Sequence, residues 1–552
     1  MTQSLTRFIQ DSIKENWHSQ SLTDYKGNSH TFSEVAEKII RLHLIFEACG
    51  VKKGQKVTLV GKNSANWGVS YLATITYGAV VIPILPDFKP NDIQHIINHS
   101  DSVFVLATDS IFETLELEKI HTVTGVISLN DFSLLSDNGN THISKAVSNL
   151  KTLFDETYPA GLTAEAIKFQ DFSNDTLAVI SYTSGTTGFT KGVMIHHNSL
   201  VANVVYANEN MPLEPGDAIV SLLPLAHAYG CAFEFLWPFT LGCHITFLTK
   251  TPSPQIILQA FKEIRPKLVL AVPLIIEKIY KKQILPVIST TKMQILLKLP
   301  ILNMVIHKKI YNKLYQVFGG NFHEIVIGGA ALNKEVEIFL RKIGFPFSIG
   351  YGMTECGPLI SYSNWDKTRV GSAGKIVDTM EVTIDSSDPY NAVGEILVRG
   401  ENVMIGYYKN NQATKNAIDK DGWLHTGDLG VIDKDNFIYI KGRSKSMILG
   451  ASGQNIYPEE LEALLSNKKL IQEALVVEKN NLLIAMIYPD HEMINKLGLS
   501  ETDLQATLEQ YKKEINDVMP VYMNLSKIKI VPEEFEKTPK KSIKRFLYTF
   551  DD

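Results

Sequence analysis

The stretch SYTSGTTGFTKG, residues 181–192, follows the apolar run LAVI and combines three glycines, a dense set of Ser and Thr hydroxyls and one lysine, Lys191. Glycines let a backbone approach an anion closely, successive N–H groups and hydroxyls donate to its oxygens, and a lysine adds a point charge. The composition therefore suits a polyphosphate. The spacing, Gly185-Thr-Thr-Gly188-Phe-Thr-Lys191-Gly192, departs from G-x-x-x-x-G-K-[ST], so this is not a Walker A loop. A plain Gly/Ser/Thr linker is the competing reading. A place between a strand ending LAVIS and a stretch, MIHHNSLVANVVYANEN, that looks helical counts against it.

The elements that must position such a loop show as an alternation. Short β-rich apolar runs, KVTLVG, AVVIPI, SVFVLA, TLAVISYT, AIVSLLP, HITFLT, LVLAVP and EIVIGG, alternate with helical stretches. That pattern implies βαβ units and a largely parallel sheet covered by helices. After about Val370 the texture turns to antiparallel hairpins, with turns at Asp388-Pro389 and Asp435-Asn436. Further on, PEELEALLSN opens a helix with Pro in its first turn and acids at the positive end of its dipole. The expected class is α/β: a large N-terminal domain, 1–445, of layered βαβ subdomains plus a β-rich subdomain, and a small α+β C-terminal domain, 446–552.

Composition excludes several alternatives. A net charge of −5 with 20% charged residues points neither to nucleic acid nor to disorder. Four scattered cysteines without a CxxC pair argue against a disulfide framework or a zinc site and suit a reducing, cytoplasmic compartment. The N-terminus, MTQSLTRFIQDSIKENW, reads as an amphipathic helix rather than a secretory signal. Gly68 to Pro86 is 19 residues without a charge, but Gly78 and Pro83 interrupt it. It reads as a buried helix, a tight turn at Gly78 and a strand, not a membrane span.

Motifs in order along most of the chain resemble those of the adenylate-forming superfamily of acyl-CoA synthetases, luciferases and peptide-synthetase adenylation domains. They are SYTSGTTGFTKGVMIHH, LLPLAHAYG (222–230), IGGAALN (327–333), GYGMTECGP (350–358), GWLHTGDLG (422–430) and KGRSKSMILGASGQNIYPEELE. The resemblance implies that ATP converts a carboxylate, a poor electrophile, to an acyl-adenylate, from which a thiol displaces AMP. Donors, a cation and magnesium would meet the charge developing on phosphate. By the same resemblance Thr183, Ser184, Gly185, Thr186, Thr187 and Lys191 cradle the β- and γ-phosphates. Tyr351, followed by Gly352, stacks on adenine, with Gly329 and Ala330 along its edge. Thr354 contacts the α-phosphate, Glu355 ligates Mg²⁺, and Asp428 accepts the ribose hydroxyls with Arg443 nearby. His227 and Gly328 line the acyl substrate, His227 not as a general base. The C-terminal domain is implied to be mobile about a hinge that here holds Ser446.

One position departs from the family pattern. The tail reads EFEKTPKKSIKRFLY, and Ser542 stands where a catalytic lysine is common; Lys541, one residue earlier, is the candidate to replace it. Residues 281–313, rich in Leu, Ile and Lys, and VPLIIEKIY (272–280) resemble segments of long-chain fatty acyl-CoA synthetases. The former reads either as helices packed on the body with snorkelling lysines or as a membrane-surface patch for a lipid substrate. The expectation is a fatty acid:CoA ligase for medium- or long-chain acids that uses ATP, Mg²⁺ and CoA. An acyl-carrier-protein ligase and a weakly active nucleotide-binding paralogue are the alternatives. The expected location is cytoplasmic, with a candidate peripheral membrane contact through 281–313.

Overall fold

The computed structural model describes residues 3–183, 191–249, 253–449, 454–480, 482–538 and 543–548. The amphipathic N-terminus forms the helix Leu5–Glu15, capped by the Ser4 side chain. Its Leu5, Ile9 and Ile13, spaced four apart, point one way and are fully buried. The four cysteines are free thiols.

Two large sheets carry the body. One runs, edge to edge, through Gly406–Tyr407, Lys191–His196, Leu177–Thr183, Val80–Ile84, Lys56–Val60, Ser102–Ala107, Gly125–Ser128 and Leu134–Ser136. Its four central pairings are parallel. The other runs through Phe347–Ile349, Glu324–Ile327, Leu268–Ala271, Ala218–Ser221, His244–Phe247, Gln20–Asp24 and Ser29–Thr31, and only the last pairing is antiparallel. Parallel strands buried on both faces need unbroken apolar runs, and VVIPI, LVLA and EIVI are buried at every position.

The uncharged stretch from Gly68 to Pro86 lies where its punctuation predicts. The helix Ala65–Tyr77 ends at Gly78, whose φ of 86° is open to glycine and costly for other residues, and the strand Val80–Ile84 follows. Trp67 and Tyr71 stack with ring centroids 5.6 Å apart and meet Phe235 edge-on. Among the described residues no helix is long and apolar enough to cross a membrane.

Met380–Asp385, Gly394–Gly400, Leu424–Ile432 and Ile438–Arg443 form an antiparallel four-stranded sheet, with Asn436 at φ 66° in the second hairpin turn. Towards the C-terminus, Ile471–Lys479, Leu482–Pro489 and Leu525–Ile530 pair into a separate sheet beside the helices Pro458–Ser466 and Glu501–Val518. This unit has its own core, built on Leu461, Leu465, Ile471, Ile487 and Leu508.

One expectation is corrected. MIHH does not begin a helix: Lys191–His196 is a strand, and the helix runs only from His197 to Asn210, capped by His196. Residues 184–190, outside the described residues, therefore stand in sequence between two antiparallel strands rather than between a strand and a helix. Residues 281–313 lie in the helical segments Tyr280–Ile284, Leu285–Ile288, Thr291–Leu296 and Pro300–Val317, whose apolar faces are partly packed on the body and partly exposed.

Candidate active site

The phosphate-type motif is flanked by antiparallel strands whose last described pair is Thr183 opposite Lys191. Ser184, Gly185, Thr186 and Thr187 lie outside the described residues. On the far side of these strands Tyr407 pairs with Val193, and the Tyr408 N–H donates to the Gly192 carbonyl at 2.8 Å. That register brings Lys191 Nζ to 4.8 Å from the centroid of the Tyr407 ring. The Tyr407 hydroxyl in turn donates to Glu355 Oε1 at 3.0 Å. Burial and the adjacent Glu355 push the phenol well above its usual range, so it stays a donor. A cation, an aromatic ring and a carboxylate thus stand in line.

Glu355 sits in the single turn Thr354–Cys356, and its carbonyl accepts from the Met404 N–H at 2.8 Å. The turn is aimed by the reversal between Tyr351–Gly352 and Leu359–Tyr362. A Cβ at Gly352 would fall 2.1 Å from the Pro358 carbonyl oxygen, so only glycine lets these backbones meet. Among the described residues no group of three or more His, Cys, Asp and Glu side chains converges on one point. A divalent cation held by Glu355 would draw its remaining oxygens from phosphate and water, which is the habit of Mg²⁺.

A second cluster forms around Asp428. Its Oδ2 accepts the Tyr351 hydroxyl at 2.7 Å and its Oδ1 lies 3.0 Å from Arg443 Nε. Asp428 and Arg443 face each other across paired strands, which sets the contact. Asp428 is 4% exposed whereas the Arg443 side chain is largely in solvent. Burial raises the Asp428 carboxyl, and the Arg443 charge and the Tyr351 hydrogen bond pull it back. Glu395 steadies the preceding turn, accepting from the Gly427 N–H at 2.8 Å and pairing with His425 at 2.9 Å. Gly328 is buried and donates to the Ala271 carbonyl at 3.1 Å, while Gly329 and Ala330 are exposed.

His227 borders a narrow cleft whose walls include Tyr71, Val179, Ile195, Leu225, Cys231 and Leu236. Ser181 and Gly357 also line it, two residues from Thr183 and Glu355. Two polar side chains, one half-buried and one fully buried, hold the His227 loop. Asn63 accepts from the Leu225 N–H at 2.9 Å and donates to the Leu223 carbonyl at 2.7 Å. Glu234, fully buried, accepts from the N–H groups of Leu222 and Leu223 at 3.0 and 2.9 Å and from the Ser221 hydroxyl at 3.1 Å. Burial pushes the Glu234 carboxyl well up, against those three hydrogen bonds.

Sequence reasoning overlooked Asn63, Glu234, Glu395 and Tyr407. Glu234 left a signal: it is the one acid in the apolar run CAFEFLWPF, and a buried carboxyl needs hydrogen-bond partners.

Residues 10–408 match the family profile described as AMP-binding enzyme, and residues 445–549 match that of the AMP-binding enzyme C-terminal domain. The chain belongs to the AMP-binding enzyme family. It is 28% identical to the long-chain-fatty-acid–CoA ligase FadD15 of Mycobacterium bovis, over 95% of this chain and 91% of that protein. It is 29% identical to the long-chain-fatty-acid–CoA ligase of Salmonella typhimurium, over 78% and 75% of the two chains. Among solved structures, the anthranilate CoA ligase AuaEII in complex with anthranoyl-AMP aligns with a TM-score of 0.78 at 19% identity, covering 99% of this chain and 96% of that one. O-succinylbenzoate CoA synthetase (MenE) from Bacillus subtilis, with ATP and magnesium, aligns at 0.74 and 21% identity, over 98% of each chain. These likenesses establish the fold as that of adenylate-forming enzymes.

In this AMP-binding enzyme the C-terminal unit touches the body at named points. Asn333 donates to the Ala463 carbonyl at 3.3 Å, Lys281 to the Ile471 carbonyl at 2.5 Å, and Lys282 pairs with Glu492 at 3.0 Å. Ser446 lies three residues after Arg443 in a turn, its N–H donating to the Arg443 carbonyl at 3.1 Å. Lys541 and Ser542 lie outside the described residues. Beside them Lys537 bridges Ile543, and Arg545 pairs with Glu462.

Proposed function

We propose that this protein is an ATP-dependent ligase that activates a medium- or long-chain fatty acid and joins it to CoA. One observation carries the reading. An apolar cleft beside His227 is lined by Ser181 and Gly357, so it adjoins both the strand end that opens the phosphate-type loop and the turn that bears Glu355. The relatives named as long-chain-fatty-acid–CoA ligases support the choice of acid.

The chemistry follows from the groups present. The acid's alkyl chain lies in the cleft, with His227 and Gly328 beside its head, and its carboxylate oxygen attacks the α-phosphorus of ATP. A new P–O bond forms as the bond to pyrophosphate breaks. Thr183 and Lys191, with Ser184, Gly185, Thr186 and Thr187, hold the departing β- and γ-phosphates, and Thr354 steadies the α-phosphate. Glu355 would hold Mg²⁺, which when bound would supply charge neutralisation. Asp428, oriented by Tyr351 and Arg443, accepts from the ribose hydroxyls. The face of the Tyr351 ring, with Gly329, Ala330 and Gly352, meets adenine. The thiolate of CoA then attacks the acyl carbon, and AMP leaves with the bridging oxygen. We assign nucleotide and acid binding to 1–445 and alternation between the two half-reactions to 446–552, with Lys541 reaching the adenylation centre.

Acid-dependent ATP–pyrophosphate exchange tests the first half-reaction with a series from acetate to stearate. Exchange that rises with chain length is expected; none with any acid would overturn the ligase reading and leave the weakly active paralogue, which Ser542 motivates. Thioester formation with CoA and with holo-acyl carrier protein, side by side, decides the acceptor. Loss of exchange in Lys541→Ala is the expected result, and unchanged exchange removes Lys541 from the mechanism.

A further inference from the structure

We propose that residues 287–305 form a docking surface for an anionic lipid bilayer. Large apolar side chains exposed one at a time are ordinary on a protein surface, whereas a contiguous group marks an interaction site. Among the described residues 22 large apolar side chains are strongly exposed, and seven of them fall within these 19 positions: Val287, Ile295, Leu299, Ile301, Leu302, Met304 and Val305. Ile301 is 74% exposed and Met304 67%.

The group stands on a defined wedge. At its base, Leu285 and Ile288 pack against the core, as do Ile310, Tyr311, Tyr315 and Val317 from the second half of Pro300–Val317. Leu314 is buried, and the rings of Tyr311 and Tyr315 stack 5.7 Å apart. At its tip, Thr290 caps Thr291–Leu296 through the Met293 N–H, and the Asn303 side chain donates to the Leu297 carbonyl at 2.6 Å, tying the two helices together. The apolar tip is thus held out from the body by ordered helices.

Its charge selects the occupant. Residues 281–313 contain seven lysines and no Asp, Glu or Arg, a charge of +7 in a chain whose net charge is −5. Lys281 and Lys282 are used on the C-terminal unit. Lys292, Lys298, Lys308, Lys309 and Lys313 are exposed, and among the described residues no carboxylate lies within ion-pair distance of them. Apolar side chains rimmed by lysines match the boundary between acyl chains and anionic headgroups. A second copy would bring the same lysine rims face to face in a two-fold contact, which like-charge repulsion opposes. The function proposed above supplies the reason, because a long-chain acid is taken from or near a bilayer, and this inference rests on that reading for its purpose alone.

Flotation of the full chain with vesicles tests it, comparing equimolar phosphatidylcholine and phosphatidylglycerol with phosphatidylcholine alone. The chain is expected to float with the anionic vesicles, less at high salt, and several-fold less with neutral ones. Ile301→Asp/Met304→Asp should lose about tenfold or more of that binding. Lys298→Ala/Lys309→Ala should lose about fivefold per lysine. Both should keep the melting temperature and the turnover of a short, freely soluble acid. No flotation of the wild type with anionic vesicles, or variants that float as well as the wild type, would overturn the proposal. So would a wild-type dimer that the Asp variant converts to a monomer without any change in flotation, which assigns the face to a second copy. Binding is read without turnover, so its failure leaves the ligase reading standing, and an inactive protein that still floats leaves the surface standing.

Discussion

The Asp428 carboxylate is the group on which the nucleotide side turns. It is almost fully buried, yet two donors on different elements, the Tyr351 hydroxyl and Arg443 Nε, point each of its oxygens. Tyr351→Phe keeps the ring face and removes one donor to a charged acceptor, an interaction worth about 1.5–3 kcal/mol. The apparent KM for ATP in pyrophosphate exchange should therefore rise about tenfold with a smaller change in kcat; an unchanged KM would show that the hydroxyl does not orient Asp428 for ATP. A second carboxyl gives a pH dependence. Burial pushes Glu324 up to about 7, although the Tyr362 hydroxyl and the Trp365 N–H donate to it. The unfolded chain ionises this group near 4.5, so between that pH and about 7 the native state holds the extra proton. Stability is then greatest below pH 4.5 as far as this group goes, falls as pH rises through 7, and is flat above it. Glu324→Gln should flatten that part of the curve of melting temperature against pH, and an unaltered slope would assign it to other groups.

At the scale of elements, the His227 loop is held from two sides, by Asn63, remote in sequence, and by Glu234 on the next element. Asn63 leads into the helix Ala65–Tyr77 and Glu234 lies in the turn Cys231–Leu236, yet together they satisfy the backbone of 222–225. Glu234→Ala would leave two N–H groups and a hydroxyl without their acceptor, at about 1–3 kcal/mol for each buried group. It should lower the melting temperature and raise the KM for the acid more than the KM for ATP. Glu234→Gln retains a carbonyl acceptor and should restore most of both; equal effects on the two KM values would make Glu234 a stability residue only. The strand pair of Leu177–Thr183 and Lys191–His196 carries a related lesson. Its partner strand, Gly406–Tyr407, brings Tyr407 between Lys191 and Glu355, and nothing in the local sequence announces that meeting.

For the whole molecule, two bodies with separate cores meet, among the described residues, through named polar contacts. Asn333 reaches the Pro458–Ser466 helix, and Lys281 and Lys282 reach the sheet and Glu492. The exposed Lys282–Glu492 pair contributes little, about 0–1 kcal/mol, which leaves more of this seam to the hydrogen bonds of Asn333 and Lys281. Asn333→Ala/Lys282→Ala should speed tryptic cleavage after Lys445 several-fold without lowering the melting temperature of the body, and unchanged cleavage would mean the seam is held elsewhere. The wedge at 287–305 projects from the same region of the chain as Lys281 and Lys282, which joins the proposed lipid surface to the element that contacts the C-terminal unit.

The sequence by itself determined the alternating architecture, the helix–turn–strand at Gly78, the hairpins after Val370 and the order of the nucleotide motifs. Those features rest on local periodicity, on glycine at a positive φ and on short spacings, which neighbouring residues encode. Tertiary structure decided the rest. GVMIH suits a helix or a strand equally by composition, and it is a strand because Leu177–Thr183 and Gly406–Tyr407 offer it hydrogen-bond partners on both sides. The apolar residues of 287–305 suit a packed face or a surface patch equally in sequence, because whether a face is covered depends on what the rest of the chain brings against it, and there the body stops at Ile288 and Ile310. Tyr407 and Asn63 act across long stretches of chain, and such meetings are set by sheet order and register, which no local pattern carries.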